Sequence, residues 1–239
     1  MEYVHQRTRN PIRITRALWR TLKNPESTAD ALILEDVYNN SRLARRFSGW
    51  DRVADRLLPD ALNQEQLTRL PRLVGLDAEN MIKRHAPGTV GYALASHMLA
   101  NKLNPNLFEP ITISSGRDYV INHITETHDV WHVVTGYGTD IPGEVALISF
   151  YAANADLPIA ALLLGLAMLN TAFFAHDQLG NRVEAIAEGW QAGKRARPLF
   201  GLDWQAEFDR PLLEFRQAMK LPLAAQVGKG ITDEWTQVA

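Results

Sequence analysis

His128, Asp129 and His132 fall within five residues of one another, and Glu144 follows His132 after eleven intervening positions. Residues four apart on a helix share one face, with Cβ atoms about 5–6 Å apart, so two imidazoles at this spacing can bind one cation. Asp129 precedes His132 by three, which suits it either to ligate directly or to orient an imidazole. The segment Gly136-Tyr137-Gly138 breaks the helical pattern between the two halves and is expected to reverse the chain. That reversal brings Glu144, in the first turn of the next helix, back toward the histidines. Two imidazoles and one or two carboxylates make a borderline-to-hard donor set suited to Zn, Fe(II), Mn or Mg, and a site with open positions is typically catalytic. The competing account is an ordinary amphipathic helix whose polar residues happen to flank a core Trp131.

The rest of the composition narrows what such a site could be. The chain has 239 residues, 46% hydrophobic and 22% charged, with a formal net charge of -2. These values suit a folded domain with a sizeable core. Nothing in the charge balance favours nucleic acid. The chain has no cysteine, so a thiolate metal site, a disulfide and a cysteine nucleophile are excluded. The polar start, Met1 to Asn10, does not read as a signal peptide. The longest apolar run, Leu157 to Leu169, is shorter than the ~20 residues a spanning helix needs. It reads as a buried helix or as the wall of an apolar slot, and the protein is expected not to be integral to a membrane.

Helical periodicity dominates, and the reading is one all-α domain over residues 1–239 with a polar tail from 223. Helices are expected over Ile12 to Leu22, from Ser27 or Thr28 through Tyr38, over Asn63 to Leu70 and over Thr89 to Lys102. An irregular stretch from Asn104 to Arg117 precedes a helix capped by Asp118 that carries the histidines. Thr139 or Asp140 starts the next helix, with Pro142 in its first turn. The apolar helix to about Ala175 follows, then Asn181 to Ala192 and one continuous helix from Trp204 to Met219. Between Arg7 and Lys23 lie six basic residues and no acidic one. With Ile12, Leu18, Trp19 and Leu22 opposite, that helix suits either an anionic bilayer surface or a packed position with a solvated face.

Other chemistry has little support. There is no G-x-x-x-x-G-K-[ST], no G-x-G-x-x-G and no G-x-S-x-G. His176-Asp177 is a second His-Asp pair, read as a helix-end pair rather than a distal ligand. His85, His97 and His123 read as structural. A His-Asp phosphohydrolase, also helical and metal-dependent, is the alternative, with His97 and Asp177 as the added ligands.

The H-D-x-x-H…E pattern with this spacing resembles the signature of the coenzyme Q (ubiquinone) biosynthesis Coq-four family. Further stretches agree: Pro87-Gly88-Thr89-Val90-Gly91 leading into a helix, Glu126, Asp156-Leu157-Pro158-Ile159, and Gly193-Lys194-Arg195-Ala196. The resemblance covers about residues 15–222. It departs where the family often reads R-Y-R-E before H-D, since this chain has His123-Ile124-Thr125-Glu126. The resemblance implies an all-helical protein with an apolar lipid-binding cavity, a homodimer, peripheral on a membrane. It implies a divalent ion, zinc first and Mg, Mn or Fe otherwise, held by His128, Asp129, His132 and Glu144. It further implies a prenyl lipid or polyprenylated aromatic intermediate as ligand, other quinone-biosynthesis enzymes as partners, and ring decarboxylation with hydroxylation, or scaffolding, as the task. In that setting Asp129 is a candidate base, and Tyr137 and Asp140 are candidate substrate contacts. The expected location is the cytoplasm, at the cytoplasmic face of a membrane.

Overall fold

The computed structural model describes residues 11–24, 33–34, 37–39, 49–59, 62–103 and 112–222. Among them every regular element is helical, and the one β-type contact is an isolated bridge between Thr89 and Pro211. The long helices are α1 (Pro11–Lys23), α5 (Val90–Ala100), α6 (Gly116–Thr135), α7 (Ile141–Ala155), α8 (Pro158–Phe174) and α9 (Leu179–Arg195). Short helices fill the gaps: α2 (Trp50–Leu57), α3 (Gln64–Thr68), α4 (Ala78–Arg84), α10 (Trp204–Glu207) and α11 (Leu212–Met219), with a 3-10 turn at His176–Gln178. The helix expected from Ser27 or Thr28 lies mostly outside the described residues, as do the tail from 223 and most of the stretch 104–117.

Local chemistry explains most boundaries. Asn63 and Gln66 form a reciprocal capping box at the start of α3. Thr89 caps α5 through the Tyr92 N–H. The cap of α6 is Ser115, which accepts from the Asp118 N–H at 3.1 Å. Asp118 therefore sits in the first turn, not at the cap as expected, where its carboxylate still complements the helix dipole. The expected helix from Trp204 to Met219 is two helices, because Pro211 has no N–H to continue the ladder. The break has a use. Around it, Val90 N–H donates to the Arg210 carbonyl, Gly91 N–H to Phe208 and Leu212 N–H to Gly88. The Pro-Gly-Thr-Val-Gly segment is thus stapled to the α10–α11 junction, and His85 adds a 2.7 Å contact from Nδ1 to Asp209.

One apolar cluster unites α2 and α4–α11, with Trp131, Phe150, Trp204, Phe215, Leu94 and Leu147 fully buried. Each such side chain stabilises by roughly 1.5–3 kcal/mol on burial, so packing rather than helix propensity holds these elements in place. The closest pairing is α7 on α9. Gly189 and Gly193 lie one turn apart on α9, where a Cβ would overlap the Ala146 and Phe150 carbonyl oxygens of α7. Ser149 Oγ donates to the Ile186 carbonyl at 2.7 Å across the same seam. At its end, Asn154 takes the Leu199 N–H at 3.1 Å and donates to the Arg197 carbonyl at 3.1 Å. The α9–α10 connection is thereby tied to α7.

The apolar run on α8 is only half covered. Ile159, Ala160, Leu166 and Ala167 are buried, whereas Ala161, Gly165, Leu169 and Phe173 face outward at helical spacing. Buried Arg182 of α9 binds the Ala167 carbonyl, Asn170 and Thr171, all on α8. Helix α1 packs on α8 through Ala17 and Thr21, leaving Ile12, Leu18 and Trp19 exposed. Its apolar side chains therefore do not all turn inward, and Trp19 meets Phe174 edge-on at 6.1 Å. No described helix is long and apolar enough to cross a membrane.

Glu126, a residue of the motif region, is structural. Its carboxylate takes both Arg72 Nε, at 2.8 Å, and the Leu73 N–H, at 3.3 Å, pinning the 71–77 stretch on α6. His123 is likewise structural, fully buried and stacked on Tyr119 at 5.2 Å, with Nε2 accepting the Gly201 N–H at 3.1 Å.

Two outcomes follow from this packing. Gly189→Ala gains up to ~1 kcal/mol of helix propensity, but the overlap is with backbone that no rotamer can move. The net expected change is a loss of about 1–3 kcal/mol. Gly165→Ala, with open space at its Cβ, should stabilise instead; denaturant melts of the two variants read the contrast. Burial pushes His123 from its ordinary 6.5 down to about 4. Between those values the unfolded chain binds a proton that the folded chain excludes, so this contribution is full above 6.5 and fades as pH falls toward 4. Thermal melts from pH 7 to 4.5 should show the midpoint dropping across that window, with a shallower slope in His123→Phe.

Candidate metal centre

Helix α6 ends where the sequence breaks. Gly136 takes a left-handed conformation at φ 78° and its N–H caps the His132 carbonyl. Buried Arg216 of α11 binds the next orphan carbonyls, donating from Nε to Val134 at 3.0 Å and from its terminal nitrogen to Val133 at 2.9 Å. A cation at a helix C-terminus also complements the dipole. Five residues later Asp140 caps α7 through the Gly143 N–H at 3.2 Å, with Pro142 in the first turn. Gly143 is required there, because a Cβ would overlap the backbone of Gly138. Glu144 then occupies the first turn of α7, facing the end of α6.

The three expected ligands converge. His128 Nε2 and His132 Nε2 are 3.1 Å apart, with Glu144 Oε1 3.2 Å from His132 and Oε2 3.7 Å from His128. Among the described residues this is the cluster whose metal-capable atoms all lie within 4.8 Å of one another. The His132 side chain is 1% exposed, whereas those of His128 and Glu144 are 38% and 36% exposed. The site therefore has a closed floor and one open side.

Tautomers decide what the convergence means. His132 Nδ1 lies 3.0 Å from the Tyr137 carbonyl, which only accepts, so the ring proton is on Nδ1. In the neutral ring Nε2 is then a lone pair, directed at a carboxylate oxygen and at a second imidazole nitrogen. His128 Nδ1 meets the Tyr151 hydroxyl at 3.0 Å, which can take its proton and leave His128 Nε2 as a third acceptor. In that tautomer three acceptors face one another and favour a positive charge among them, whereas a Tyr151 hydroxyl that donates to Nδ1 leaves His128 Nε2–H as a donor to His132. A proton on His132 meets the need in part, and a divalent cation meets it fully. The set of two imidazoles and a carboxylate fits Zn or Fe(II) better than Mg.

The electrostatics agree. Burial would push His132 down, but the Glu144 carboxylate and the Tyr137 carbonyl outweigh it and hold the imidazole above its ordinary value. Burial and the charge of His132 push His128 down. Burial would raise Glu144, yet His132 and His128 hold it below the usual carboxylate range.

The remaining expected residues take other places. Asp129 is half-buried beside the cluster, but its carboxylate is not one of the three converging groups. Its charge still acts on His128 and His132. Tyr137 is fully buried and serves the site through its carbonyl. Asp140 caps α7. His176 and Asp177 are exposed on the 3-10 turn and join no metal-capable group, so the ligand pattern of a His-Asp phosphohydrolase is not assembled.

The family model described as coenzyme Q (ubiquinone) biosynthesis protein Coq4 matches residues 41–224. The chain belongs to that family. Among curated Coq4 relatives, the mitochondrial ubiquinone biosynthesis protein COQ4 homolog of Aedes aegypti is 28% identical over 63% of this chain and 54% of its own length. The Coccidioides immitis COQ4 protein is 24% identical over 71% of this chain and 60% of its own, and the Danio rerio homolog 26% over 84% and 72%. The chain thus spans little more than half of the first relatives it matches. A crystal structure of a candidate ubiquinone biosynthesis protein from Nostoc punctiforme superposes with a TM-score of 0.61, covering 89% of this chain and 98% of that one at 22% identity. That likeness shows a shared fold.

Two residues beside the ligands were not assigned to this site from sequence: Tyr151, and His97, which read as structural or as an added ligand of the phosphohydrolase alternative. Tyr151 follows Glu144 by seven, two turns along the same face of α7, so its spacing was a usable signal. His97 arrives from α5, and no local pattern points to it. Its ring stacks on His132 at 5.9 Å. Tyr151→Phe should weaken divalent-metal binding by about 10–100-fold, the usual cost of losing a ligand's hydrogen-bond partner, with little change in melting temperature. Glu144→Gln should weaken it further; competition titrations with a chromophoric chelator read both.

Proposed function

We propose that this protein acts in quinone biosynthesis, holding a divalent cation at His128, His132 and Glu144 and presenting it to a prenylated aromatic acid. The observation that carries the reading is the convergence of three metal-capable groups on one open-sided point in a chain of the Coq4 family. When bound, the cation supplies a Lewis acid that polarises the ligand's carboxylate. The chain's own residues do the rest. His132 is fixed by the Tyr137 carbonyl and His128 by Tyr151, so both imidazoles keep their lone pairs aimed at the cation. Glu144 lowers the positive charge of the site and, at a helix N-terminus, stays ionised. Replacing the ring carboxylate by hydroxyl releases carbon dioxide and consumes dioxygen with two electrons and protons from outside the chain; Asp129, whose charge acts on both imidazoles, is the chain's candidate group for proton transfer in that step.

The half-covered face of α8 supports the lipid part of the reading, because Ala161, Gly165 and Leu169 offer a smooth apolar surface for a prenyl chain. Exposed Ile12, Trp19 and Phe173 beside Arg13 and Arg16 support a peripheral position on an anionic membrane, where other enzymes of the pathway and a second copy of the chain would be met. The same features fit a protein that holds the lipid for its partners without turnover.

Native mass spectrometry of the purified chain should find one divalent ion per chain and co-purified isoprenoid, both reduced in Glu144→Gln. Turnover of a prenylated 4-hydroxybenzoate should stop on chelation and return with metal. Bound lipid with no turnover would leave the holding role alone. A chain with neither metal nor isoprenoid sinks the reading.

A further inference from the structure

His97 has no part in the ligand set, and its surroundings are unusual for a structural histidine. It lies on α5, is 1% exposed, and packs its ring nearly parallel to that of His132, with centroids 5.9 Å apart and planes 28° from parallel. Nδ1 faces the Asn101 side-chain amide at 3.2 Å. That amide also donates to the His97 carbonyl at 2.9 Å, which fixes it as the donor and makes Nδ1 the acceptor. The ring proton is therefore on Nε2, at the far side of the ring. Nε2 is buried and has no hydrogen-bond partner among the described residues. An unmade hydrogen bond of a buried donor is costly, and a donor that the chain leaves unpaired is open to an acceptor from water or a ligand.

The stacking of His97 on the His132 ring places that donor next to the candidate metal centre. Burial pushes the His97 imidazole down to about 4, and the charged groups that act on it are His132, His128 and Glu144 of the centre and Asp129 beside His128 in sequence. Glu144 feels His97 in return. Yet His97 is outside the group of atoms that lie within 4.8 Å of one another, so it is not a fourth protein ligand. A neutral N–H donor, pre-oriented by Asn101 and held against the back of a ligand imidazole, is suited to an acceptor that arrives from outside.

We propose that His97 Nε2–H is a positioning donor for an anionic oxygen of the molecule that occupies the centre. This rests on the reading of the site as a metal centre. The oxygen belongs to a carboxylate or a phosphate; both present the same acceptor to one N–H, and the lone pair of a coordinated oxygen is oriented by it. The donor selects for an acceptor at that point and against an apolar or cationic group, and would thereby set which end of an amphiphile enters the site first.

The test uses the full chain loaded with Co(II), whose visible absorption reports the coordination sphere. 4-Hydroxybenzoate and phenyl phosphate are the two anionic probes, and 4-hydroxybenzyl alcohol is the neutral control. His97→Phe keeps the aromatic face against His132 and removes only the donor, so melting temperature should hold or rise. Co(II) affinity should stay within about threefold of wild type, as expected for a residue that does not ligate. Affinity for the anionic probe should fall about 10–100-fold, the range for a hydrogen bond to a charged group, with the alcohol unaffected. Whichever of the two probes loses more identifies the headgroup. His97→Gln, which offers an N–H at similar reach, should recover part of the loss. Equal anion binding by wild type and His97→Phe overturns the proposal while leaving the metal centre intact. A His97→Phe chain that folds but loses Co(II) overturns it in favour of direct ligation. A wild-type chain that binds no Co(II) overturns the metal reading itself, and this inference with it.

Discussion

Everything in the site hangs on how His132 is held. Its Nδ1 proton is committed to a backbone carbonyl five residues ahead, and that carbonyl is fixed because the chain turns sharply after Gly136. With one nitrogen fixed in this way, the other has no freedom of role. It presents a lone pair to a carboxylate and to a neighbouring imidazole, an arrangement that favours a positive charge. Because His132 is almost fully buried, water does not reach it from below, and a cation bound as proposed would come from the side where His128 and Glu144 are partly exposed. The tautomer, the turn and the direction of entry are consequences of one hydrogen bond.

Holding that bond in place requires both flanking helices to end and begin at fixed points. Ser115 starts α6, while Gly136 and Arg216 finish it. Asp140 starts α7 within four residues of the stop. The cationic side chain at the C-terminus of α6 comes from α11, eighty residues onward, and the aromatic core around Trp131, Phe150 and Tyr151 fixes the rotation of both helices about their axes. Glu126, close in sequence to the ligands, faces the other way and binds Arg72. Proximity in sequence and role in the site are thus separable on a single helix.

The sequence made the all-helical class, the His128–His132–Glu144 set and the reversal at Gly136 legible because each rests on short-range geometry: a spacing of four, a glycine with positive φ, and a proline in a first turn. For Asp129 the sequence left a ligand and an orienting group equally open, because adjacency along the chain does not report how far side chains one apart diverge around a helix. Tyr151 was within reach of the same spacing argument, seven residues from Glu144. His97 was not, since the contact between α5 and α6 is tertiary and leaves no local trace. The break at Pro211 was misjudged because the apolar pattern continues across it, and only the backbone bonds to Gly88, Val90 and Gly91 reveal why the chain gives up a helical turn there. Gly189 and Gly193 of α9 carry no local sign of their purpose, since the α7 carbonyls that need the space are distant in sequence.

That glycine seam has a mechanical consequence. Helix α7 is clamped along its length against α9 at backbone contact distance, with Ser149 and Asn154 tying it further, so the carboxylate end of the site belongs to a stiff body. The two imidazoles belong to α6, whose neighbours touch it through side chains. An ion held as proposed would meet a carboxylate and a His132 imidazole that keep their positions, and partly exposed His128 would be the donor with room to adjust. Discrimination between ions of similar charge would then be a question of how far one side chain can swing against a fixed wall.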